Sequence, residues 1–201
     1  MSREIIAILR GVTPDEVLDI GRALVDAGID RIEVPLNSPD PITSIGILAK
    51  ELAGQATVGA GTVLKPEQVD QIHGVGGTLV VSPDCNPDVI DRTKALGMLS
   101  YPGVISPTEC FTALRHGADG LKFFPAFLVQ PAGLAAISAV LPTGTKTYAV
   151  GGAGPDSFAE WFAAGVTGFG IGSGVYKPGF TASDVRAKAE EIVAAYDATK
   201  G

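Results

Sequence analysis

Short apolar runs alternate with longer amphipathic segments along this chain, and the alternation repeats eight times. Runs of this length are typical of buried strands, whereas the segments between them have helical spacing. Several segments begin with a proline followed by an acidic residue, which favours the first turn of a helix. The eight strand-like runs are residues 4–10, 31–36, 57–63, 78–83, 98–104, 120–126, 146–152 and 168–175.

This alternation predicts an α/β fold with parallel strands. Eight strand–helix units in 201 residues fit a (β/α)8, or TIM, barrel, and we expect one compact domain over residues 1–201. A doubly wound open sheet is the alternative, but it usually has fewer strands and a glycine fingerprint after the first one. Here the first run ends Leu9-Arg10-Gly11-Val12, without that fingerprint.

Charge and composition limit the classes of partner that this protein is expected to bind. A net charge of −7 and the lack of a basic run disfavour nucleic acid and anionic membranes, although a local site can still bind an anionic small molecule. No apolar stretch approaches the roughly 18 residues of a membrane span, and Met1-Ser2-Arg3-Glu4 does not begin a signal peptide. Cys85 and Cys110 match no metal spacing, so we expect free thiols and a cytoplasmic protein.

One lysine stands in an unusual place. Lys122 interrupts the otherwise apolar run Gly120–Ala126, the sixth predicted strand, with Leu121 and Phe123 on its opposite face. Lysine is rarely buried, and burial disfavours its charged form. A neutral amine in a dry pocket attacks carbonyl groups, so Lys122 suggests Schiff-base chemistry.

Other polar residues fall at the ends of predicted strands, where barrel enzymes have their active sites. Arg10 ends the first strand, and Thr62 lies near the end of the third, beside small residues that leave space. Period-two alternation in the second strand places Ile32 and Val34 on one face and Glu33 on the other, toward the barrel interior.

Each of these residues also has a purely structural interpretation. Arg10 and Glu33 could be charges at the barrel rim, Thr62 an ordinary strand residue, and Lys122 an ion-pair partner of Glu33. Because an acid, an amine and a guanidinium recur at one level of the barrel, a shared site is favoured.

The last two predicted strands indicate an anion site. One ends with Val150, Gly151 and Gly152, and the other ends with Gly172 and Ser173. The loops after strands 7 and 8 of a barrel commonly bind phosphate through backbone N–H groups. Glycine allows close approach, and a serine hydroxyl adds a donor.

A metal centre is not indicated. His73 and His116 are the only histidines, both lie in helical segments, and no metal-binding motif is present. We therefore expect no cofactor, and an imine is the simpler electron sink for carbon–carbon bond chemistry.

The strand-end motifs, taken together, resemble those of the small class I aldolases that cleave 2-keto-3-deoxy-6-phosphosugar acids. The resemblance extends from the first strand to the last helix. The motifs that carry it are Glu33-Val34-Pro35-Leu36-Asn37-Ser38-Pro39, Gly59-Ala60-Gly61-Thr62-Val63, Lys122-Phe123-Phe124-Pro125-Ala126, Val150-Gly151-Gly152 and Gly172-Ser173.

This resemblance implies a metal-free (β/α)8 homotrimer that binds a phosphorylated keto-deoxy sugar acid. It implies that Lys122 forms an imine with the C2 ketone and that Glu33 transfers protons. Arg10 and Thr62 would then bind the carboxylate end, and Gly151, Gly152 and Ser173 the phosphate. Pro83 and Phe124 would form the pocket wall.

Two branches of the family cleave substrates that differ at C4. Members that act on the gluconate-derived substrate typically have arginine and threonine after the catalytic glutamate, and threonine before the Gly-Gly pair. Here Asn37, Ser38 and Val150 stand at those positions and resemble the galactonate-cleaving branch. Exchange of a hydroxyl for an apolar side chain can shift such a preference. A gluconate-type or dual-epimer aldolase is the nearest alternative.

Two alternatives belong to other functional classes. A phosphosugar isomerase or epimerase on the same scaffold would need a second acid–base residue or a metal pair, and neither is evident. A non-catalytic phosphosugar-binding barrel would bind the ligand without releasing pyruvate.

Overall fold

The computed structural model describes residues 3–200, so Met1, Ser2 and Gly201 lie outside the described residues. Within residues 3–200, nine parallel strands form one sheet in the order β5-β4-β3-β2-β1-β9-β8-β7-β6. They are β1 Ile5–Ile8, β2 Arg31–Pro35, β3 Thr57–Gly61, β4 Leu79–Val81, β5 Leu99–Tyr101, β6 Gly103–Val104, β7 Leu121–Phe123, β8 Thr147–Val150 and β9 Gly168–Ile171.

In the same range, eight α-helices alternate with these strands, except that β6 directly follows β5, and this confirms the predicted (β/α)8 barrel. They are α1 Pro14–Asp26, α2 Pro41–Glu51, α3 Pro66–Gly74, α4 Pro87–Ala95, α5 Pro107–Arg115, α6 Ala126–Ser138, α7 Phe158–Ala163 and α8 Ala182–Lys200. No helix in residues 3–200 is long and apolar enough to cross a membrane.

The barrel closes at a segment that the sequence pattern predicts as one strand and that forms two strands in the structure. Residues 98–104 form two short strands, β5 and β6, with Pro102 between them. Proline has no N–H to donate to a strand ladder, so it is found at breaks and bulges. Because β5 pairs with β4 and β6 pairs with β7, the bent segment joins the two ends of the sheet.

Alternating strand residues fill two separate apolar regions. In β1, Ile5 and Ala7 pack in the cluster between the strands and the helices, whereas Ile6 and Ile8 pack inside the barrel. The interior cluster also contains Tyr101 of β5. This alternation places one face of every strand toward the barrel axis, where polar side chains can converge.

Most helix starts follow the predicted proline signals. At α4 the Asn86 side chain accepts a hydrogen bond of 3.1 Å from the Asp88 N–H, and at α5 Ser106 and Glu109 form a capping box. The segment after Gly154 also begins with a proline followed by an acidic residue, Pro155-Asp156, but it does not start a regular α-helix. It first forms a short 3-10 helix, Pro155–Ser157, which leads into α7.

A charged cluster lies at the opposite end of the barrel from the strand-end loops. The Glu4 carboxylate accepts hydrogen bonds from Tyr148 Oη at 2.6 Å and from Lys146 Nζ at 3.2 Å, and it pairs with Arg31. Burial alone would raise the pKa of Glu4, but these donors lower it to about 2. We call Glu4, Arg31, Lys146 and Tyr148 the basal cluster.

Candidate active site

Two adjoining cavities lie at the carboxyl ends of the strands. The larger one, of about 370 Å³, is open to solvent and lies among the loops after β1, β8 and β9. The smaller one, of about 10 Å³, lies inside the barrel and contains the side chains of Glu33 and Lys122. Ile8, Val150 and Gly170 line both. We call them the mouth cavity and the amine pocket.

Lys122 projects into the barrel from β7 and is only 6 % exposed. Its neighbours Leu121 and Phe123 pack outward among the helices, as alternation predicts. The Lys122 Nζ lies 4.6 Å from the centre of the Phe124 ring. Burial lowers the pKa of the Lys122 amine; the negative charge of Glu33 opposes this effect, and Arg10 adds to it.

Glu33 reaches the same pocket from β2 and is 2 % exposed. Its Oε2 atom has no hydrogen-bond partner. Burial raises the pKa of the Glu33 carboxyl, while the positive charges of Lys122 and Arg10 oppose that rise. No ion pair within 4.0 Å joins Glu33 to Lys122, so the structural ion pair considered from the sequence is not formed.

The pocket depends on a missing side chain in β3. A Cβ atom added to Gly61 would overlap the carboxylate of Glu33. The carboxylate therefore occupies space that any other residue at position 61 would fill. This explains why small residues near the end of β3 accompany Glu33 in the adjacent strand.

Arg10 is held at the cavity mouth by the segment after β2. Its Nη1 donates a hydrogen bond to Asn37 Oδ1, and the N–H of Gly11 donates to Ser38 Oγ at 2.9 Å. The side chain of Arg10 remains exposed and lines the mouth cavity. Asn37 and Ser38 thus position the loop after β1.

Two glycine-rich turns form the opposite wall of the mouth cavity. Gly151 and Gly152, after β8, have φ values of +83° and +94°, a region in which other residues are strained. Gly172 and Ser173 follow β9 and line the same cavity. Phe124, after β7, completes the wall.

Two residues assigned to the site from the sequence are not among the residues that line these cavities. Thr62 and Pro83 line neither the mouth cavity nor the amine pocket. Thr62 has φ +59°, in the left-handed region that a β-branched residue rarely adopts. Thr62 directly follows Gly61, the last residue of β3.

The structure adds residues that strand-end reasoning missed. Tyr101 and Tyr148 pack edge to face, with ring centres 5.0 Å apart, and line the amine pocket. Tyr176 and Lys177 line the mouth cavity from the loop after β9. Only Lys177 carried a sequence signal, since a cation follows a glycine-rich strand end and precedes Pro178-Gly179.

No three His, Cys, Asp or Glu side chains in residues 3–200 are clustered in a way that would hold a metal ion. The site instead offers a buried amine, a buried carboxyl and an open, glycine-walled cavity above them. An amine of lowered pKa beside a proton donor can form an imine with a ketone. Fold and site together define a (β/α)8 barrel equipped for carbonyl chemistry.

Comparison with known proteins agrees with this description. A family model for KDPG and KHG aldolase matches residues 1–190. The chain is 48% identical over 201 residues to a probable 2-dehydro-3-deoxy-6-phosphogalactonate aldolase of Rhizobium meliloti, covering 100% of this chain and 95% of the relative. It is 44% identical over 192 residues to the aldolase of that name from Escherichia coli, covering 96% and 94%.

Solved structures show the same fold. One described as native KDPGal matches with a TM-score of 0.97 at 42% identity, covering 100% of this chain and 97% of the other. A 2-keto-3-deoxy-6-phospho-gluconate aldolase of Zymomonas mobilis matches with a TM-score of 0.84 at 26% identity, covering 96% and 93%. The chain belongs to the KDPG and KHG aldolase family and is a carbon–carbon lyase.

Proposed function

We propose that this aldolase cleaves 2-dehydro-3-deoxy-6-phospho-D-galactonate to pyruvate and D-glyceraldehyde 3-phosphate through an imine on Lys122. The observation that carries the proposal is the buried pair of Lys122 and Glu33 in one small pocket beneath an open cavity. The names of the relatives at 48% and 44% identity support the substrate.

The reaction begins with attack of the neutral Lys122 amine on the C2 ketone. Glu33 donates a proton to the carbinolamine hydroxyl, which leaves as water, and the protonated imine remains. Glu33, now a carboxylate, accepts the proton of the C4 hydroxyl as the C3–C4 bond breaks. The electron pair of that bond moves into the imine to give an enamine, and the aldehyde leaves.

The second half returns the enzyme to its starting state. Glu33 transfers its proton to C3 of the enamine, which restores the protonated imine. Water adds to that imine carbon, pyruvate and the neutral amine are released, and the proton set free returns to the Glu33 carboxylate. The directions of the two pKa shifts suit these steps. A raised pKa keeps a proton on Glu33 for donation, and a lowered pKa keeps Lys122 neutral for attack.

In the proposed binding mode the mouth cavity receives the substrate, with its C2 ketone over the amine pocket. In this proposal Arg10 and Thr62 bind the pyruvyl carboxylate, while Gly151, Gly152, Gly172 and Ser173 bind the distal phosphate. Arg10 lines the mouth cavity, and its charge affects the pKa values of both Glu33 and Lys122, which supports its part. Thr62 and Pro83 lack that support in this structure, because neither lines a cavity. Phe124 walls the mouth.

Val150 is the residue we propose to favour the galactonate-derived epimer. It is 5 % exposed and lines both cavities, where the middle of the substrate would lie. An apolar side chain there offers no hydrogen bond to a C4 hydroxyl. A threonine would offer one and would favour the epimer whose hydroxyl points toward it.

Trapping the imine tests the chemistry. Pyruvate and sodium borohydride should irreversibly modify the peptide that contains Lys122, as measured by mass spectrometry, and Lys122→Met should remove both the adduct and the lyase activity. Lys94→Met, a change outside the pocket, serves as the matched control. An unmodified Lys122 peptide, or lyase activity that survives in Lys122→Met, would contradict the proposal.

Cleavage rates on the two C4 epimers test the substrate. We expect the galactonate-derived epimer to have a kcat/KM at least about tenfold higher, a difference of ~1.4 kcal/mol in activation free energy. Val150→Thr should narrow that ratio. A ratio that favours the gluconate-derived epimer would sink the assignment while leaving the imine mechanism intact.

We also propose a cytoplasmic homotrimer. Phe127 and Leu128 at the start of α6 are each 62% exposed, which suits an interface with other copies. The chain is also 42% identical to part of a cage designed by fusing symmetric oligomeric domains. Light scattering should give three times the 20.6 kDa chain mass.

The proposed cytoplasmic location is supported by the cysteines. Cys85 and Cys110 are free thiols, which suits a reducing compartment.

A further inference from the structure

A lysine without a partner stands on the wall of the mouth cavity. Lys177 is exposed and lines this cavity together with Arg10. Most Lys and Arg side chains in residues 3–200 have a carboxylate within 4.0 Å. In the same range, the side chain of Lys177 has no ion pair or hydrogen bond.

The backbone that carries Lys177 is well anchored. Tyr176, which precedes it, is 2 % exposed and donates a hydrogen bond of 3.0 Å to Glu16 at the start of α1. Pro178, which follows it, packs against Gly11, where an added Cβ would lie 2.8 Å from the proline ring. The backbone of Lys177 is thus held in place by its two packed neighbours, Tyr176 and Pro178.

A tight turn adds to this rigidity. The N–H of Phe180 donates a hydrogen bond of 3.0 Å to the carbonyl oxygen of Lys177. Pro178 and Gly179, whose φ is +93°, occupy the two central positions, as a type II turn requires. The free ammonium is therefore presented from an ordered loop.

The charges that line the mouth cavity indicate a role for the Lys177 ammonium in binding an anion. The protein carries a net charge of −7, yet both charged side chains that line the mouth cavity, Arg10 and Lys177, are positive. The glycine turns opposite offer neutral N–H groups, and Ser173 offers a neutral hydroxyl. In the proposed function Arg10 pairs with the pyruvyl carboxylate, so Lys177 is the remaining cation of the mouth cavity that can pair with the phosphate.

We propose that Lys177 is a further substrate-binding residue, whose ammonium pairs with the phosphate and makes the enzyme select phosphorylated over unphosphorylated aldehydes. This inference rests on the proposed function, in which the phosphate lies in the mouth cavity. It adds a charged, side-chain determinant to a site otherwise formed by glycine backbone and one hydroxyl.

The test uses the condensation direction, with pyruvate and either D-glyceraldehyde 3-phosphate or D-glyceraldehyde. Lys177→Met should lower kcat/KM for the phosphorylated aldehyde by about tenfold or more, mainly through KM, because a charge-assisted contact is lost. The value for D-glyceraldehyde should stay within about twofold. Lys177→Arg should retain most of the discrimination, and Lys50→Met, a remote change of equal charge, should retain all of it. An equal loss on both aldehydes, or no loss on either, overturns the inference.

A binding measurement separates this inference from the proposed function. Titration of inorganic phosphate, followed by phosphorus NMR, needs no turnover, and the pyruvate–borohydride adduct on Lys122 reports the imine in the same preparation. An absent adduct defeats the proposed function, whereas an unchanged phosphate Kd in Lys177→Met defeats the role of Lys177. Weaker phosphate binding in Lys177→Met and an unchanged Kd in Lys50→Met support it.

Discussion

At the scale of single residues, the chemistry of this protein depends on two ionisable side chains that burial pushes toward their neutral forms. Lys122 and Glu33 are both buried, and each favours the charged form of the other. Desolvation is the larger effect for both, so its direction prevails. The result is an amine that can attack and a carboxyl that can donate, held in one pocket.

The coupling predicts an effect of Glu33→Gln on its partner. The carboxylate of Glu33 raises the pKa of Lys122, so its removal should lower that pKa further. The amine would then become neutral at a lower pH. The rate of carbamylation of Lys122 by cyanate, measured from peptide mass across a pH series, should have its midpoint at a lower pH in Glu33→Gln than in the wild type. The kcat of this variant should fall by about 10²–10⁴-fold because it lacks the proton donor.

The control for this experiment is Glu67→Gln in the exposed first turn of α3, which should leave the midpoint and kcat unchanged. A midpoint in Glu33→Gln that stays in place or moves to higher pH would show that the two groups are not coupled.

At the scale of secondary-structure elements, the site depends on which side chains of each strand point into the barrel and on where a neighbouring strand has a glycine that leaves space for them. Glu33 of β2 pairs with Gly59 of β3. Gly61, two residues further along β3, has no side chain, and the carboxylate of Glu33 lies in the space that a side chain would fill. Position 61 is therefore part of the site although it has no functional group.

Gly61→Ala should lower activity more than stability. The new methyl group would displace the Glu33 carboxylate, and a misplacement of about 1 Å can cost 10²-fold in rate. The clash falls on the end of a side chain that can move, so the fold should persist. We expect kcat to fall by about 10²-fold, and thermal unfolding should shift by only a few degrees.

The same substitution at Gly74 is the matched control, because an added Cβ there meets nothing within 4 Å. Gly74→Ala should keep wild-type kcat. Full activity in Gly61→Ala would mean that the observed position of the Glu33 carboxylate is not required.

At the scale of the whole molecule, segments that are distant in sequence are joined at the base of the barrel by hydrogen bonds and ion pairs of the basal cluster. Glu4 and Tyr148 are 144 residues apart, and their hydrogen bond joins β8 to the segment just before β1. Tyr148 also lines the amine pocket, so the basal cluster supports the floor of the site.

The basal cluster should make stability depend on pH. The pKa of Glu4 is about 2 in the folded protein, below its ordinary value of 4.5, so its contribution is present above about pH 4.5 and is lost as pH falls toward 2. Glu4→Gln should lower the free energy of unfolding at pH 7 by on the order of 2 kcal/mol, less than the full pKa shift corresponds to, because solvent screens this partly exposed carboxylate. Urea unfolding should show the gap between wild type and variant closing toward pH 2.5.

Glu190→Gln serves as the reference for this comparison, since Glu190 belongs to an exposed ion pair with Arg186. It should change stability by less than about 0.5 kcal/mol. A Glu4→Gln difference that is equally large at pH 7 and pH 2.5 would disprove the linkage.

Much of this architecture is local and was predictable. The alternation of runs indicated the barrel, and period two placed Glu33 and Lys122 on the inward faces of their strands. Prolines preceded by capping residues marked the starts of α4 and α5. These features depend on neighbours within a few residues, because backbone geometry alternates or repeats over that distance.

The tertiary structure decided what depends on distant segments meeting. Three features arise from packing between segments that are distant in sequence: closure at Pro102, the hydrogen bond from Arg10 to Asn37, and the position of Lys177 on the mouth cavity. The sequence by itself determined which strands form and which way they face. Only the folded chain decided which strand-end residues share a cavity, because that depends on closure and on loop conformation, which no local pattern records.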